Sequence, residues 1–425
     1  MPATALLFLS FFALLALGVP VAFALAAASL ATIVYLGLPP LVLVIELAAG
    51  ANASTLLAIP LFILTGEIML RGGLSDRIIA LATSLVGHMR GGLGQVNVLA
   101  SMLFGGVSGS AIADVSAIGG TMIPQMKQRG FDADFAVNVS ITAALVALLV
   151  PPSHNLILYS AAAGGGVSIA KLFAAGIIPA LLFTIAVMAT TYVLAWRRGY
   201  RTEVFPGARA VLRCAVAAVP GLLLMLVILG GIRAGIFTAV ESASIAVLYA
   251  LAIASLVYRQ MSRAAFVHML SGAIRTTGVI LFVIAAAATF GWLLAYLQVP
   301  AATVAALKSV ADSPTTVLLL MVLALLILGT FMDMAPMIII CTPIFLPVAQ
   351  AYGISPVHFG VVLILTAGIG LITPPVGSVL FVGAGIGQIS VGQTLRSIWP
   401  FYLAALTVLL LVVLLPPLSL WLPGL

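Results

Sequence analysis

Long unbroken apolar stretches dominate this chain. No charged residue occurs between Met1 and Glu46, between Asp134 and Lys171, between Arg275 and Lys308, or between Asp333 and Arg396. Stretches of this length match helices that cross a bilayer, which need about 20 apolar residues each. Strands of a membrane β-barrel alternate apolar and polar residues, and these stretches do not alternate. The pattern predicts apolar helical segments at about 5–36, 38–70, 95–124, 135–163, 172–196, 214–231, 236–258, 276–298, 313–349, 357–387 and 398–421. The first is too long for one straight span, and Gly18-Val19-Pro20 marks its break. The second is interrupted near Gly50-Ala51-Asn52. Residues 71–94 differ, because Arg71, Asp76, Arg77, His88 and Arg90 lie among aliphatic residues; they predict an interfacial or linking helix.

Composition turns this pattern into a class. Of 425 residues, 64% are hydrophobic and 6% charged, with mean hydropathy +1.32. Soluble domains carry about 25% charged residues, so the fold class expected is an all-α polytopic membrane protein. The net charge of +7 does not imply nucleic acid, because the basic residues cluster at segment ends. The densest cluster, Arg197 to Arg213, holds Arg197, Arg198, Arg201, Arg209 and Arg213 with Glu203, and predicts a cytoplasmic connector. By alternation the connector with Lys127 and Arg129 is cytoplasmic too, and the uncharged 350–356 connector faces outside. Cys214 and Cys341 read as small core residues, and the apolar N-terminus as a retained span.

An internal repeat lies beneath these segments. Gly106 and Gly329, Pro124 and Pro347, Gly130 and Gly353, and Pro151 and Pro374 all stand 223 residues apart. Each copy has an apolar segment broken in its middle, followed by a span broken at Pro-Pro. Non-helical backbone at membrane depth persists only when buried in protein or lining a polar cavity. Two such breaks at matching places predict re-entrant hairpins and a binding site at the repeat interface of a secondary transporter. Only the first hairpin is followed by basic residues, so the repeats are expected to be inverted.

At these residues the sequence resembles the large membrane (DctM-like) subunit of tripartite ATP-independent periplasmic (TRAP) transporters. The first half carries Ala58-Ile59-Pro60-Leu61-Phe62 with Gly66, the run Ser108-Gly109-Ser110-Ala111-Ile112-Ala113-Asp114, and Pro151-Pro152-Ser153. The second carries Gly235-Ile236-Phe237-Thr238 with Glu241, Gly329-Thr330-Phe331-Met332-Asp333, and Ile372-Thr373-Pro374-Pro375-Val376-Gly377. The resemblance implies an elevator-type transporter with inverted repeats. It implies Na⁺ as the coupling ion, with no other cofactor, and an organic anion such as a C4-dicarboxylate or sialic acid as substrate. The implied partners are a small four-helix membrane subunit and a periplasmic substrate-binding protein, and the implied place is the cytoplasmic (inner) membrane of a bacterium or archaeon. ATP is not expected to drive transport, since no Gly-x-x-x-x-Gly-Lys-Ser/Thr occurs. The transport unit is expected at 92–163 and 313–387, and mainly scaffold and connecting helices at 164–275.

The candidate site follows from the breaks. Ser108, Gly109 and Ser110 are expected at the first hairpin tip, and Gly329 and Thr330 at the second. Glycine allows the sharp turn, and freed carbonyls and hydroxyls suit Na⁺. Asp114 and Asp333 stand in otherwise uncharged hairpins, where an ionisable group is functional by default; the bland alternative is a helix N-cap. Pro151, Pro152, Ser153 and Asn155, with Thr373, Pro374 and Pro375, are expected to unwind the facing spans and supply oxygen ligands. Ser108, Ser110, Thr330 and Thr373 are the Na⁺ candidates. Glu67 and Glu241 read as structural groups near span ends. A second class stays open: Gly106-Val107-Ser108-Gly109 matches Gly-x-Ser-Gly, and His154 follows as a base, as in an intramembrane serine protease.

Overall fold

The computed structural model describes residues 2–52, 54–200, 202, 204–308 and 310–424, with side chains at all of these except Ser54, Thr55 and Val107. Arg201 and Glu203 of the basic connector lie outside the described residues. Every regular element among the described residues is a helix. The first two helices, α1 (Ala3–Ala16) and α2 (Val21–Tyr35), part where expected: Gly18 takes φ +79° and Pro20 precedes the new helix. The second region divides into α3 (Leu41–Ala51) and α4 (Ala58–Arg71). Residues 71–94 hold α5 (Leu74–Val86), which bends 66° from α4 after the Gly72-Gly73 pair.

The first hairpin runs down α6 (Gly92–Ser108), turns at Gly109, and returns through α7 (Ala111–Asp114), a π-type turn and α8 (Gly120–Gln128). The broken span behind it comprises α9 (Ala133–Ala143), a 3₁₀ turn, the Pro151-Pro152 break and α10 (His154–Ala162). The chain continues through α11 (Ile169–Arg197), α12 (Ala208–Arg233), α13 (Ala239–Ala252), α14 (Arg263–Tyr296) and α15 (Val299–Lys308). The second hairpin is α16 (Pro314–Gly329) and α17 (Met334–Ala351), and its broken span is α18 (Pro356–Gly370) and α19 (Ser378–Gly387). Finally α20 (Val391–Ser397), α21 (Trp399–Leu414) and α22 (Pro417–Leu420) close the described chain. α15 and α20 were not expected from the apolar pattern.

Five of the described helical segments are long and apolar enough to cross a bilayer alone: α11, α12, α13 with its π-type extension to Val257, α14 and α17. Side-chain hydroxyls start several helices. Ser168, Ser262 and Ser313 cap α11, α14 and α16. Thr238 and Glu241 form a capping box on α13, which is the role found for Glu241. Glu67 pairs with Arg71 one turn along α4 at 3.2 Å. Cys214 and Cys341 are both free.

Packing divides the helices into two groups. In one, α14 lies against α2, α3 and α4, while α12 and α13 cover α5 and α4. In the other, the hairpins and broken spans pack together with α11 and α21. Within the 164–275 stretch, therefore, α11 packs with the hairpins and α12–α14 with the other group. The groups meet where α4 and α5 touch α6, and where α14 and α15 touch α17.

Candidate functional site

The first tip is built by glycines that let three backbones meet. Gly109 takes φ +59°, and a β-carbon there would lie 3.0 Å from His154 Nδ1 and 3.2 Å from the Pro152 carbonyl oxygen. At Gly105 a β-carbon would lie 2.6 Å from the Ala147 backbone, and at Gly106 2.4 Å from Met225 Sδ of α12 and 3.1 Å from the Pro151 oxygen. Ser110 caps α7 by accepting from the Ala113 amide at 3.3 Å. Asn155, buried, donates to the Gly109 carbonyl at 2.9 Å, and Ser153 donates to the Leu148 carbonyl at 2.7 Å. The tip and its Pro-Pro break are thus one connected unit.

The second tip repeats this geometry 223 residues later. Asp333, counterpart of Ser110, caps α17 through its Oδ1, which accepts from the Met334 amide at 2.9 Å. Ser378, counterpart of Asn155, donates to the same Oδ1 at 3.1 Å. The Val376 amide donates to the Thr330 carbonyl at 3.0 Å. Gly329 and Gly370 are in backbone contact: a β-carbon on Gly370 would lie 2.6 Å from the Gly329 oxygen. Thr330 and Thr373 donate their hydroxyls to Ile327 and Ile369, each at 2.8 Å, which leaves both oxygens free to accept or to ligate a cation. Both Pro151-Pro152 and Pro374-Pro375 are cis.

The two units interlock. α10, which follows the first break, packs against α17 of the second hairpin; α19, which follows the second break, packs against α7 and α8 of the first. Gly368 of α18 lies against Leu148 beside the first break, and Lys127 at the end of α8 donates to the Gly387 carbonyl of α19 at 2.9 Å. The candidate residues other than Asp114 lie at one tip or the other, or at the Pro-Pro break bonded to that tip.

Asp114 stands apart. It ends α7, is fully buried, and neither carboxylate oxygen has a hydrogen-bond partner among the described residues. The Ser101 hydroxyl of α6 is nearby and equally unpartnered. The N-cap alternative holds for Asp333 and fails for Asp114. The Ser108 hydroxyl is also buried and without a partner among the described residues, and His154 gives it no hydrogen bond. All these groups are neutral or anionic oxygens, the donor chemistry that suits a hard monovalent cation.

Sequence reasoning passed over polar contacts that join α9 to α6 on one side and to α20 on the other. Asn97 donates to Ser140, and Asn138 donates to the Thr394 carbonyl at 3.2 Å and to Ser397 at 2.9 Å. The polar pairs Asn97/Ser101 and Asn138/Thr142, each one turn apart within apolar helices, were the available signal. A charged cluster beyond the helix ends was missed as well. Arg198 donates to Asp132 at 2.8 Å and to both Asp134 oxygens at 3.0 and 2.9 Å, and the Tyr200 phenol donates to Asp132 at 2.7 Å. Burial raises that phenol's pKa, and its bond to Asp132 acts in the same direction. The cluster ties the start of α9 to the end of α11.

The pattern of the family described as "Tripartite ATP-independent periplasmic transporter, DctM component" matches residues 8–418. The chain belongs to the DctM family. It is similar to the 2,3-diketo-L-gulonate TRAP transporter large permease protein YiaN of Escherichia coli, 36% identical over 405 residues, which cover 95% of each chain. It is also similar to the sialic acid TRAP transporter large permease protein SiaM of Vibrio cholerae, 38% identical over 380 residues, 89% of this chain and 88% of that protein. Its fold is that of the YdaH transporter of Alcanivorax borkumensis, with TM-score 0.62 and 18% identity over 89% of this chain and 87% of that one. A DctM-family chain is a transporter permease subunit and not an enzyme, so the serine-protease alternative falls. It is a multi-pass membrane protein.

Proposed function

We propose that this large permease imports an organic acid anion together with Na⁺ across the cytoplasmic (inner) membrane, by an elevator movement. The observation that carries this reading is the interlock: two tips at matching sequence positions, each joined to its own Pro-Pro break, with each half-helix packed on the other hairpin. Ion and substrate would bind between the tips. Ser108, Ser110, Thr330 and Thr373, with carbonyls of Gly109, Pro151, Pro152, Ser153, Gly329, Pro374 and Pro375, offer the oxygens; Asn155 and Asp333 hold the tips in place, and Asp114 is a buried carboxyl group behind the first. The hairpin group, including α11, would move as the re-entrant transport unit, and the α1–α5 and α12–α14 group would stay as scaffold. Two similar proteins carry names with acid substrates, a diketo-gulonate and a sialic acid, which supports a carboxylate; a C4-dicarboxylate belongs to the same class. A small four-helix membrane subunit and a periplasmic binding protein complete the machine, with the Arg197–Arg213 connector on the cytoplasmic face.

Reconstitution in liposomes tests this reading. Uptake of a carboxylate substrate should require the small subunit, the binding protein and an inward Na⁺ gradient together. Uptake by this chain alone, or uptake indifferent to Na⁺, would overturn it. Asp333→Ala should weaken Na⁺ activation, since Asp333 both caps α17 and receives Ser378.

A further inference from the structure

Part of the densest basic cluster is helix and not loop. α12 begins at Ala208, so Arg209 and Arg213 stand in its first two turns, one turn apart. Side chains so spaced share a face, with Cβ atoms about 5–6 Å apart. Both residues are exposed, and no described residue gives either guanidinium a hydrogen bond or an ion pair. α12 itself carries no carboxylate. The exposed side continues as an apolar stripe: Leu212, Val216, Val219 and Leu223 follow at helical spacing, with Leu212 66% exposed and Val216 64%. The opposite side holds the buried Ala218, Gly221 and Leu224, and Gly221 meets Leu74 of α5.

Residue size and charge together say what covers the stripe. Helices that pack on one another in a membrane meet through small residues. On α12 the small residues lie on the buried side, and the stripe is branched aliphatic, a surface for acyl chains. Trp196, 60% exposed at the end of α11 just before the connector, is a residue that settles at headgroup level. Two unpaired guanidiniums at the head of an acyl-facing stripe are placed for a phosphate, which arginine holds through paired N–H donors. A free phosphate would satisfy the guanidiniums and leave the stripe bare. A second copy of this chain would set Arg209 and Arg213 against themselves in an isologous contact. We infer that the start of α12 is a binding site for an anionic phospholipid, with its phosphate between Arg209 and Arg213 and its acyl chains along Leu212, Val216, Val219 and Leu223. The cytoplasmic connector proposed above makes this a lipid of the cytoplasmic leaflet; the binding itself does not rest on that reading.

Photocrosslinking locates the lipid. The full chain, in phosphatidylcholine vesicles containing phosphatidylglycerol with a photoreactive acyl chain, should gain adducts concentrated on residues 209–223. Adducts spread evenly over the exposed helices, or none on α12, would overturn the site. Native mass spectrometry of the purified full chain tests the headgroup. Phosphatidylglycerol should be retained in preference to phosphatidylcholine with the same chains. The Arg209→Gln, Arg213→Gln double variant should retain about tenfold less phosphatidylglycerol, whereas Arg263→Gln with Arg275→Gln on α14, which removes the same charge, should retain it in full. Equal retention of the two lipids, or equal loss in the two double variants, would overturn recognition by Arg209 and Arg213. With the small subunit co-expressed, capture of that subunit in place of lipid by a photocrosslinking residue at Val216 would give the stripe to a protein partner and overturn the inference. None of these readouts depends on uptake, so a failure of the transport reading leaves them unmoved.

Discussion

Pro151, Pro152 and Ser153 are buried, whereas Pro374, Pro375 and Val376, their counterparts 223 residues on, are exposed. The cause lies in the neighbours. Gly176 of α11 presses on the first break so closely that a β-carbon would sit 2.3 Å from the Leu149 oxygen, and Met225 of α12 covers Gly106. At the second break the Tyr402 hydroxyl donates to the Ile372 carbonyl at 2.6 Å, but Val376 is 42% exposed and Phe331 53%. Access to a tip is therefore set by what packs on it and not by the tip's own sequence. Two breaks at matching sequence positions can thus differ in burial, one enclosed and one exposed, in a single conformation.

The comparison breaks most easily at Gly176. Gly176→Ala drives a methyl into backbone that cannot rotate away, and should cost about 3 kcal/mol or more, read as a lower unfolding temperature in detergent and lost transport. An unchanged unfolding temperature would mean that α11 does not seal the first break. Next come the two tip anchors. Asn155→Ala leaves the buried Gly109 carbonyl unpaired and should cost about 2 kcal/mol, whereas Ser378→Ala at its half-exposed counterpart should cost less than about 1 kcal/mol; the opposite order in thermal unfolding would contradict the buried–exposed contrast. In a Cys214→Ser, Cys341→Ser background, Val376→Cys should react readily with a water-soluble thiol reagent while Ser153→Cys resists it. Equal labelling rates would remove the contrast. The smallest structural effect is expected from Ser108→Ala, which deletes a buried hydroxyl without a hydrogen-bond partner among the described residues. Its stability should change by less than about 0.5 kcal/mol, so a rise in the Na⁺ concentration for half-maximal uptake would report ion binding cleanly. Unchanged Na⁺ activation would take Ser108 out of the ion site.

Much of this was legible in the chain. Uninterrupted apolar runs predicted helices, and Gly and Pro at a constant offset located both tips, because neither residue suits a helix interior. The limits were also physical. α15 (Val299–Lys308) has the look of a connector, since it is Ala-rich and lies between two stronger apolar runs. α20 was overlooked although Ser390 and Gln393 spell a capping box, which the structure forms. Helices apolar on every side give no periodic signal for which face meets which neighbour. The place of α11 beside the hairpins could not be read for that reason. Asp114 and Asp333 looked alike as lone carboxylates in uncharged segments. Only their surroundings separate them: one caps a helix and receives Ser378, while the other is buried and unpartnered.

The interlock has a consequence for how this protein is made. α10 leaves the ribosome with its partner α17 still unwritten, roughly 170 residues later, which at ~5–20 residues per second is a wait of about 10–30 s. During that wait the first hairpin and its broken span are in the membrane without half of their packing, and the freed backbone at Pro151-Pro152 lacks its final enclosure. The first repeat cannot mature as a unit ahead of the second. Folding of either half is completed only when the other arrives, and an interruption of synthesis before Met334 would leave a polar, half-built core exposed to lipid.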